Sequence, residues 1–279
     1  MTRRAYRLAN PIWAVPVVLF LLIFFVAPLA ANLTLSRPHG AGDGQGAFYY
    51  YIKLLTDSYY SGVLLSTLQV ATITTVASLV IGYPVAYFMA RMSGRWTGAM
   101  VFVLVAPLLT SIIMRTFGWR VLLARRGLLN TWLAQMGWPG RPGNWADDPI
   151  AVYIGLVHVL VPFTVLSILA VLQGIDRRLE ESARVLGAGR ARTFLSVTLP
   201  LSMEGVVTGG ILVFVLTNGS FLTMLLLGGG KVTTLSLLIY QQFSTTQDIA
   251  FAAAMGNVLM GVALLGLLMQ VLVLRRRRA

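Results

Sequence analysis

The sequence predicts an all-α fold, a polytopic bundle of six membrane-spanning helices with both termini on the cytoplasmic side. Three observations predict it. Of 279 residues, 57% are hydrophobic and only 11% charged, more apolar surface than a soluble core can enclose. Six apolar stretches are long enough to cross a hydrocarbon layer of about 30 Å, which takes roughly 20 helical residues. None shows the alternation of barrel strands, and a span in lipid must satisfy its own backbone hydrogen bonds, so each is read as a helix.

The first span is placed at Trp13 to Ala31. Arg3, Arg4 and Arg7 precede it in the manner of a signal peptide, but its run is longer than a signal core and no A-x-A-like site clearly ends it. The others are placed at Val63 to Ala90, Ala99 to Arg115, Ile150 to Val171, Val206 to Leu227 and Ile249 to Leu274. Between the first two lies a Gly- and Tyr-rich loop, Asn32 to Ser61, whose aromatic run Phe48 to Tyr51 suits a membrane interface. Between the third and fourth, Val121, Leu122, Leu128, Leu129 and Trp132 recur near helical spacing, interrupted by Arg125-Arg126-Gly127. This segment, Gly118 to Pro149, predicts a short helix on the outer surface or capping the bundle. Gly228-Gly229-Gly230 is expected to end the fifth span. No hydrophilic segment is long enough for a separate unit, so residues 1–279 form one transmembrane domain.

Basic residues set the orientation. Arg91 and Arg95, Arg177 to Arg192, and Arg275 to Arg278 fall on the side that holds the N-terminal arginines, while Arg115, Arg120, Arg125, Arg126 and Arg141 fall on the other. The net charge of +13 is spent at span ends, where anionic lipid attracts it, and not on nucleic acid. There is no cysteine, which excludes disulfides and Cys-based metal sites.

The charged loop at about 173–200 carries the functional signal. Asp176 is placed to cap a helix, on which Leu179, Ala183 and Leu186 share a face while Glu180 and Arg184 stand four apart and are expected to pair on the surface. Gly187 supplies the positive φ that stops the helix. Phe194, Leu195, Val197 and Leu199 then re-enter the apolar layer, with Pro200 expected in the first turn of the next helix. The result is a short helix parallel to the membrane, on which a soluble partner can push.

Glu181-Ser182-Ala183-x3-Gly187-x9-Val197-x-Leu199-Pro200 resembles the EAA loop of binding-protein-dependent ABC importer permeases, E-A-A-x3-G-x9-I-x-L-P. Gly82 to Tyr87, Arg115 to Trp119 and Gly127 to Asn130 resemble segments of the spermidine/putrescine branch. Met224 and Glu204 depart from that branch's pattern.

The resemblance implies a type I importer permease in the bacterial inner membrane. It implies a coupling helix, with Glu181, Ser182, Ala183, Leu186, Gly187, Leu199 and Pro200 as its contact set, seated on a dimer of ATP-binding cassette subunits. A second, different permease chain and a periplasmic solute-binding protein complete the implied assembly. ATP and Mg would belong to the ATPase subunits, and this chain would hold no cofactor.

Catalysis finds no support in the residues. A phosphate loop needs G-x4-G-K-[ST], but Lys231 is followed by Val232 and position 225 is Leu. His39 and His158 are isolated, and Asp147-Asp148 beside Pro149 suits a cap or loop better than a carboxylate pair. His158 is expected to be packed against a neighbouring helix, and Glu204 to sit at the N-terminal dipole of the fifth span. Gln69, Asn218, Asn257 and Gln270 are neutral polar groups within spans, and such groups mark helix contacts or a wet path. Asn218, Ser220 and Asn257 are the candidates for a translocation path. The alternative function is a self-contained channel or secondary transporter, with Asn218, His158 and Glu204 along its path. A lipid-acting enzyme using Arg115 to Arg126 lacks a nucleophile or acid/base pair.

Overall fold

A computed structural model describes residues 15–37, 46, 48–92, 94–137 and 143–278, without the side chains of 274 and 276–278. The N-terminal arginines, the start of the first predicted span, His39 and Arg141 lie outside these residues. Twelve helices are described: α1 Val15–Leu35, α2 Tyr49–Thr56, α3 Ser58–Arg91, α4 Gly94–Val105, α5 Ile112–Leu123, α6 Leu128–Gln135, α7 Pro149–Gly174, α8 Arg177–Val185, α9 Arg190–Asn218, α10 Leu222–Leu226, α11 Leu235–Gln241 and α12 Ile249–Arg278. No strand is found among the described residues.

Among the described residues five of these helices are long and apolar enough to cross a membrane, and one bent pair passes the same test only when its two parts are taken together, as a broken span or a re-entrant segment. Gly94–Leu109 and Ile112–Gln135 meet at 93°, with extended backbone at Thr110, ψ 152°, and at Ser111, ψ 135°. The continuous third span expected over Ala99 to Arg115 is therefore corrected. Pro107 ends α4 in a 3-10 turn, Ala106–Leu109, because a proline lacks the N–H that would continue the ladder. The single cap helix expected after it is two helices, α5 and α6, separated at Arg125-Arg126-Gly127, where Gly127 backs onto the carbonyls of Val121 and Leu122.

The fifth span is also corrected. It starts at Arg190 and ends at Asn218, nine residues short of the predicted Leu227. Gly228, Gly229 and Gly230, at φ +80°, +57° and +77°, make a tight turn farther along, between α10 and α11. Pro200 sits in the first turn of the α-helical stretch Leu199–Asn218, as expected, but no break in the helix precedes it. A π-turn over Phe194–Thr198 leads straight into α-helix, with the Leu199 N–H bonded to the Phe194 carbonyl. The widened turn lets one continuous helix pass a proline that cannot donate.

The helices α3, α7 and α9 pack on one another most extensively, and α12 joins α9 to α1 and α11. The close approach of α9 to α7 depends on small residues: a Cβ on Gly205 would lie 2.8 Å from the Ser167 carbonyl oxygen and 2.9 Å from the Ile168 Cα. One core cluster gathers Ala86, Met89, Val165, Ile168, Leu169 and Leu172 beneath the charged loop. A second packs Leu54, Phe251 and Met255 against the partly buried Tyr50 and Tyr60, while Phe48 and Tyr49 of the expected aromatic run stay exposed. Tyr50 stacks on Phe251 at 5.3 Å and Tyr60 meets it edge-on at 4.9 Å.

Candidate functional site

The loop between α7 and α9 folds as its local sequence dictates at both ends of α8. The Asp176 carboxylate accepts from the Arg178 N–H at 2.9 Å, satisfying a donor at the helix start. At the other end Gly187 takes φ +88°, and the N–H groups of Gly187 and Ala188 return to the carbonyls of Arg184 and Ala183. That is the glycine-terminated helix end expected of this spacing.

Side-chain placement divides the helix into two faces. Glu181, Ser182, Val185 and Leu186 are exposed, Val185 by 86% and Leu186 by 87%. Leu179 is half exposed and Ala183 partly buried. Two bulky aliphatic side chains thus stand in solvent beside a carboxylate and a hydroxyl on a fixed helix. Leu199, partly buried, and Pro200, exposed, the distant members of the predicted set, lie in α9 and not on α8.

Glu180 corrects the sequence reading. It does not form a surface pair with Arg184 but is 3% exposed and bonded to the Arg91 guanidinium at the end of α3. The same Oε1 accepts from the Thr198 hydroxyl at 2.7 Å. Burial alone pushes the Glu180 carboxyl up, but the hydrogen bonds from Arg91 and Thr198, with the Arg91 and Arg184 charges, hold it below its ordinary value. Arg177 adds a bond from Nη2 to the Ala90 carbonyl at 2.9 Å.

The candidate path residues do not form one cluster. Asn218 is buried in α9, where its Nδ2 donates to the Phe214 carbonyl at 2.9 Å and its Oδ1 has no partner among the described residues. Ser220 follows at the helix end, its hydroxyl bonded to the Leu216 carbonyl at 3.0 Å and its own carbonyl accepting from Ser236 at 3.3 Å. Asn257 is elsewhere: it accepts from Asn32 Nδ2 at 2.7 Å and donates to the Tyr51 hydroxyl at 2.9 Å, a clasp between α12, α1 and α2. Gln270 likewise donates to Thr208 at 3.3 Å.

His158 accepts from Trp119 Nε1 at 3.2 Å, the interhelix contact expected of it, and both line an open apolar groove of about 540 Å³ between α3, α4, α5 and α7. Asp148 caps α7 through the Ile150 N–H at 2.9 Å. Glu204 is corrected, because the continuous α9 puts it about four turns from the helix start.

Comparison with known proteins adds the following. A family described as "Binding-protein-dependent transport system inner membrane component" matches residues 2–279. The spermidine/putrescine transport system permease protein PotB of Escherichia coli is 36% identical over 218 residues, 77% of this chain and 79% of that one. PotB of Haemophilus influenzae is 35% identical over 239 residues, 84% and 83% of the two chains. Among solved structures, a bacterial alginate ABC transporter in complex with alginate pentasaccharide-bound periplasmic protein contains a chain that superposes with a TM-score of 0.76. Its identity is 18%, over 92% of this chain and 91% of that one, a likeness of fold.

Proposed function

The chain belongs to the family of binding-protein-dependent transport system inner membrane components, and from that membership we propose which of its surfaces meets which partner. It is a permease of an ABC importer, a multi-pass inner-membrane protein and a non-catalytic subunit. The self-contained channel or secondary transporter falls with that membership.

In our reading α8 is the coupling helix, and its exposed Glu181, Ser182, Val185 and Leu186 seat on an ATP-binding cassette subunit. The single observation that carries this is the fixed, solvent-facing pair of Val185 and Leu186 on a helix tied from behind. Ala183 and Gly187 shape the helix and its stop, while Leu199 and Pro200 follow directly on the π-turn inside α9. Two ATPase subunits bind ATP and Mg, and a second, different permease chain supplies the other half of the path. A periplasmic solute-binding protein delivers solute to the opposite face, and both termini lie with α8 in the cytoplasm. Closure of the ATPase pair would then switch the permeases between two states with different partner contacts.

We assign the solute as a polyamine, following the PotB relatives, and place Asn218 and Ser220 on its path. The unpartnered Asn218 Oδ1 supports that placement, since a buried acceptor without a donor is costly unless another state supplies one. Asn257 serves helix packing.

The test is mild-detergent purification of the tagged chain from its native membrane, with mass spectrometry of what accompanies it. Wild type is expected to bring down an ATPase subunit and a second permease, and Glu181→Lys or Gly187→Pro to lose the ATPase subunit while inserting normally. Equal recovery of the ATPase subunit by all three would refute the assignment of α8.

A further inference from the structure

We propose that Glu180 is a positioning residue that joins the coupling helix, the cytoplasmic end of α3 and the π-turn of α9 into one rigid body. This rests on the reading of α8 as the ATPase-facing helix and adds how its displacement reaches the spans.

α8 runs for nine residues, Arg177–Val185, a length that is marginal alone in water. It leaves the bundle through Ile175-Asp176 and returns through a turn whose pivot is Gly187, at φ +88°. A push on a helix tethered only by those links would be absorbed in the turn. The side-chain ties prevent that. One oxygen of Glu180 receives both the Arg91 guanidinium and the Thr198 hydroxyl, the latter at 2.7 Å, so a single carboxylate bridges two spans far apart in sequence. A carboxylate buried to 3% exposure is costly unless its partners are in place. Directional bonds therefore fix the distance and tilt of α8, where an apolar side chain would only fill space.

The partners are themselves held. The Arg91 guanidinium lies over the Tyr87 ring at 4.7 Å. Tyr87 and Tyr83 each meet Phe194 of the π-turn edge-on at 5.6 Å, and the Tyr83 hydroxyl bonds Ser202 of α9 at 2.7 Å. Arg177 closes the frame on the Ala90 carbonyl. Glu180 thus faces the spans while its neighbour Glu181 faces outward, and α8 transmits through the first what it receives through the second.

The native sequence has no cysteine, so spin labels can be placed at Leu179→Cys on α8 and Val76→Cys on α3, both exposed. Pulsed-EPR distances are measured on the whole complex in lipid nanodiscs, with and without ATP plus vanadate. The parent is expected to give one narrow distribution, unmoved by nucleotide. Glu180→Gln should at least double its width, and the charge exchange Glu180→Arg with Arg91→Glu should narrow it again, which general loss of packing would not do. A Glu180→Gln distribution as narrow as the parent's, a parent distance that shifts with nucleotide, or an exchange variant as broad as Glu180→Gln each overturns the proposal. Failure of the parent to bring down an ATPase subunit removes the coupling reading instead, and the distance measured without nucleotide still decides the lock.

Discussion

Glu180 and Glu181 are adjacent acids with opposite surroundings, and a helix turn of 100° per residue is enough to separate them. Glu181 keeps its hydration, whereas Glu180 exchanges water for Arg91 and Thr198. Because those partners lower the Glu180 pKa in the folded state, its contribution has a defined pH dependence. It is fully present above the unfolded carboxyl pKa of about 4.3 and is lost as pH falls from there through the lower folded value. Arg91 is 30% exposed, so removing its partner is expected to cost about 2 kcal/mol, within the range for hydrogen bonds to charged groups. Thermal unfolding in detergent should therefore show Glu180→Gln less stable than wild type at pH 7, with the gap starting to close as pH falls below the unfolded value of about 4.3 and closed only below the lower folded value, where the native carboxylate is itself neutralised. A gap that persists undiminished in acid would show that packing, not charge, carries the effect.

Among the elements, α1 is the one with least claim on the bundle. None of its residues from Val15 to Val26 is buried, and its extensive contact is with α12. Asn32 supplies directional bonds there, to Asn257 Oδ1 at 2.7 Å and the Ala253 carbonyl at 3.3 Å. Apolar contact with a neighbouring helix gains little over contact with lipid, so such bonds matter at about 0.6 kcal/mol each, rarely beyond about 1.7. Asn257→Leu is expected to destabilise the attachment of α1 by about 1 kcal/mol and to raise proteolysis in the segment after α1, with α8 unaffected. Limited proteolysis read by mass spectrometry checks this, and an unchanged pattern would reassign the Asn32–Asn257 bond as incidental. What the sequence made legible follows the same division by range. The cap at Asp176 and the stop at Gly187 are local chemistry and were readable. The burial of Glu180 was not, because Arg91 lies 89 residues away and an i, i+4 partner stood closer in the sequence. The end of α9 was missed although Thr217-Asn218-Gly219-Ser220 carries an Asn-Gly turn signal, because the apolar run resumes at Phe221 and continues into α10. Pro107 was the available sign of the bend after α4, and Pro200 marked the first turn of the α-helical stretch from Leu199 but not the π-turn that joins it to Arg190.

At the scale of the whole molecule, charge fixes both orientation and what the path presents to a solute. The arginines of α8 and its flanks predict a cytoplasmic face and place α6 on the other side. In intact cells, a membrane-impermeant maleimide should label Thr131→Cys and spare Ser182→Cys, and the reverse pattern would invert the topology. The sequence has nine acidic residues, and Glu204 alone lies within a described spanning helix, near the middle of Arg190–Asn218. It is exposed on this chain. A polyamine carries several positive charges, and spans with one carboxylate among the described residues favour passage over capture, leaving tight selection to a separate binding protein. We place that exposed carboxylate where a polycation can meet it. Glu204→Gln is expected to lower uptake of radiolabelled spermidine by roughly tenfold, the effect of losing about 1.4 kcal/mol of stabilisation at the barrier, while the ATPase subunit still co-purifies. Uptake at the wild-type rate would remove Glu204 from the path. Loss of the ATPase subunit would instead place its effect on the α9 helix that leads into the coupling loop.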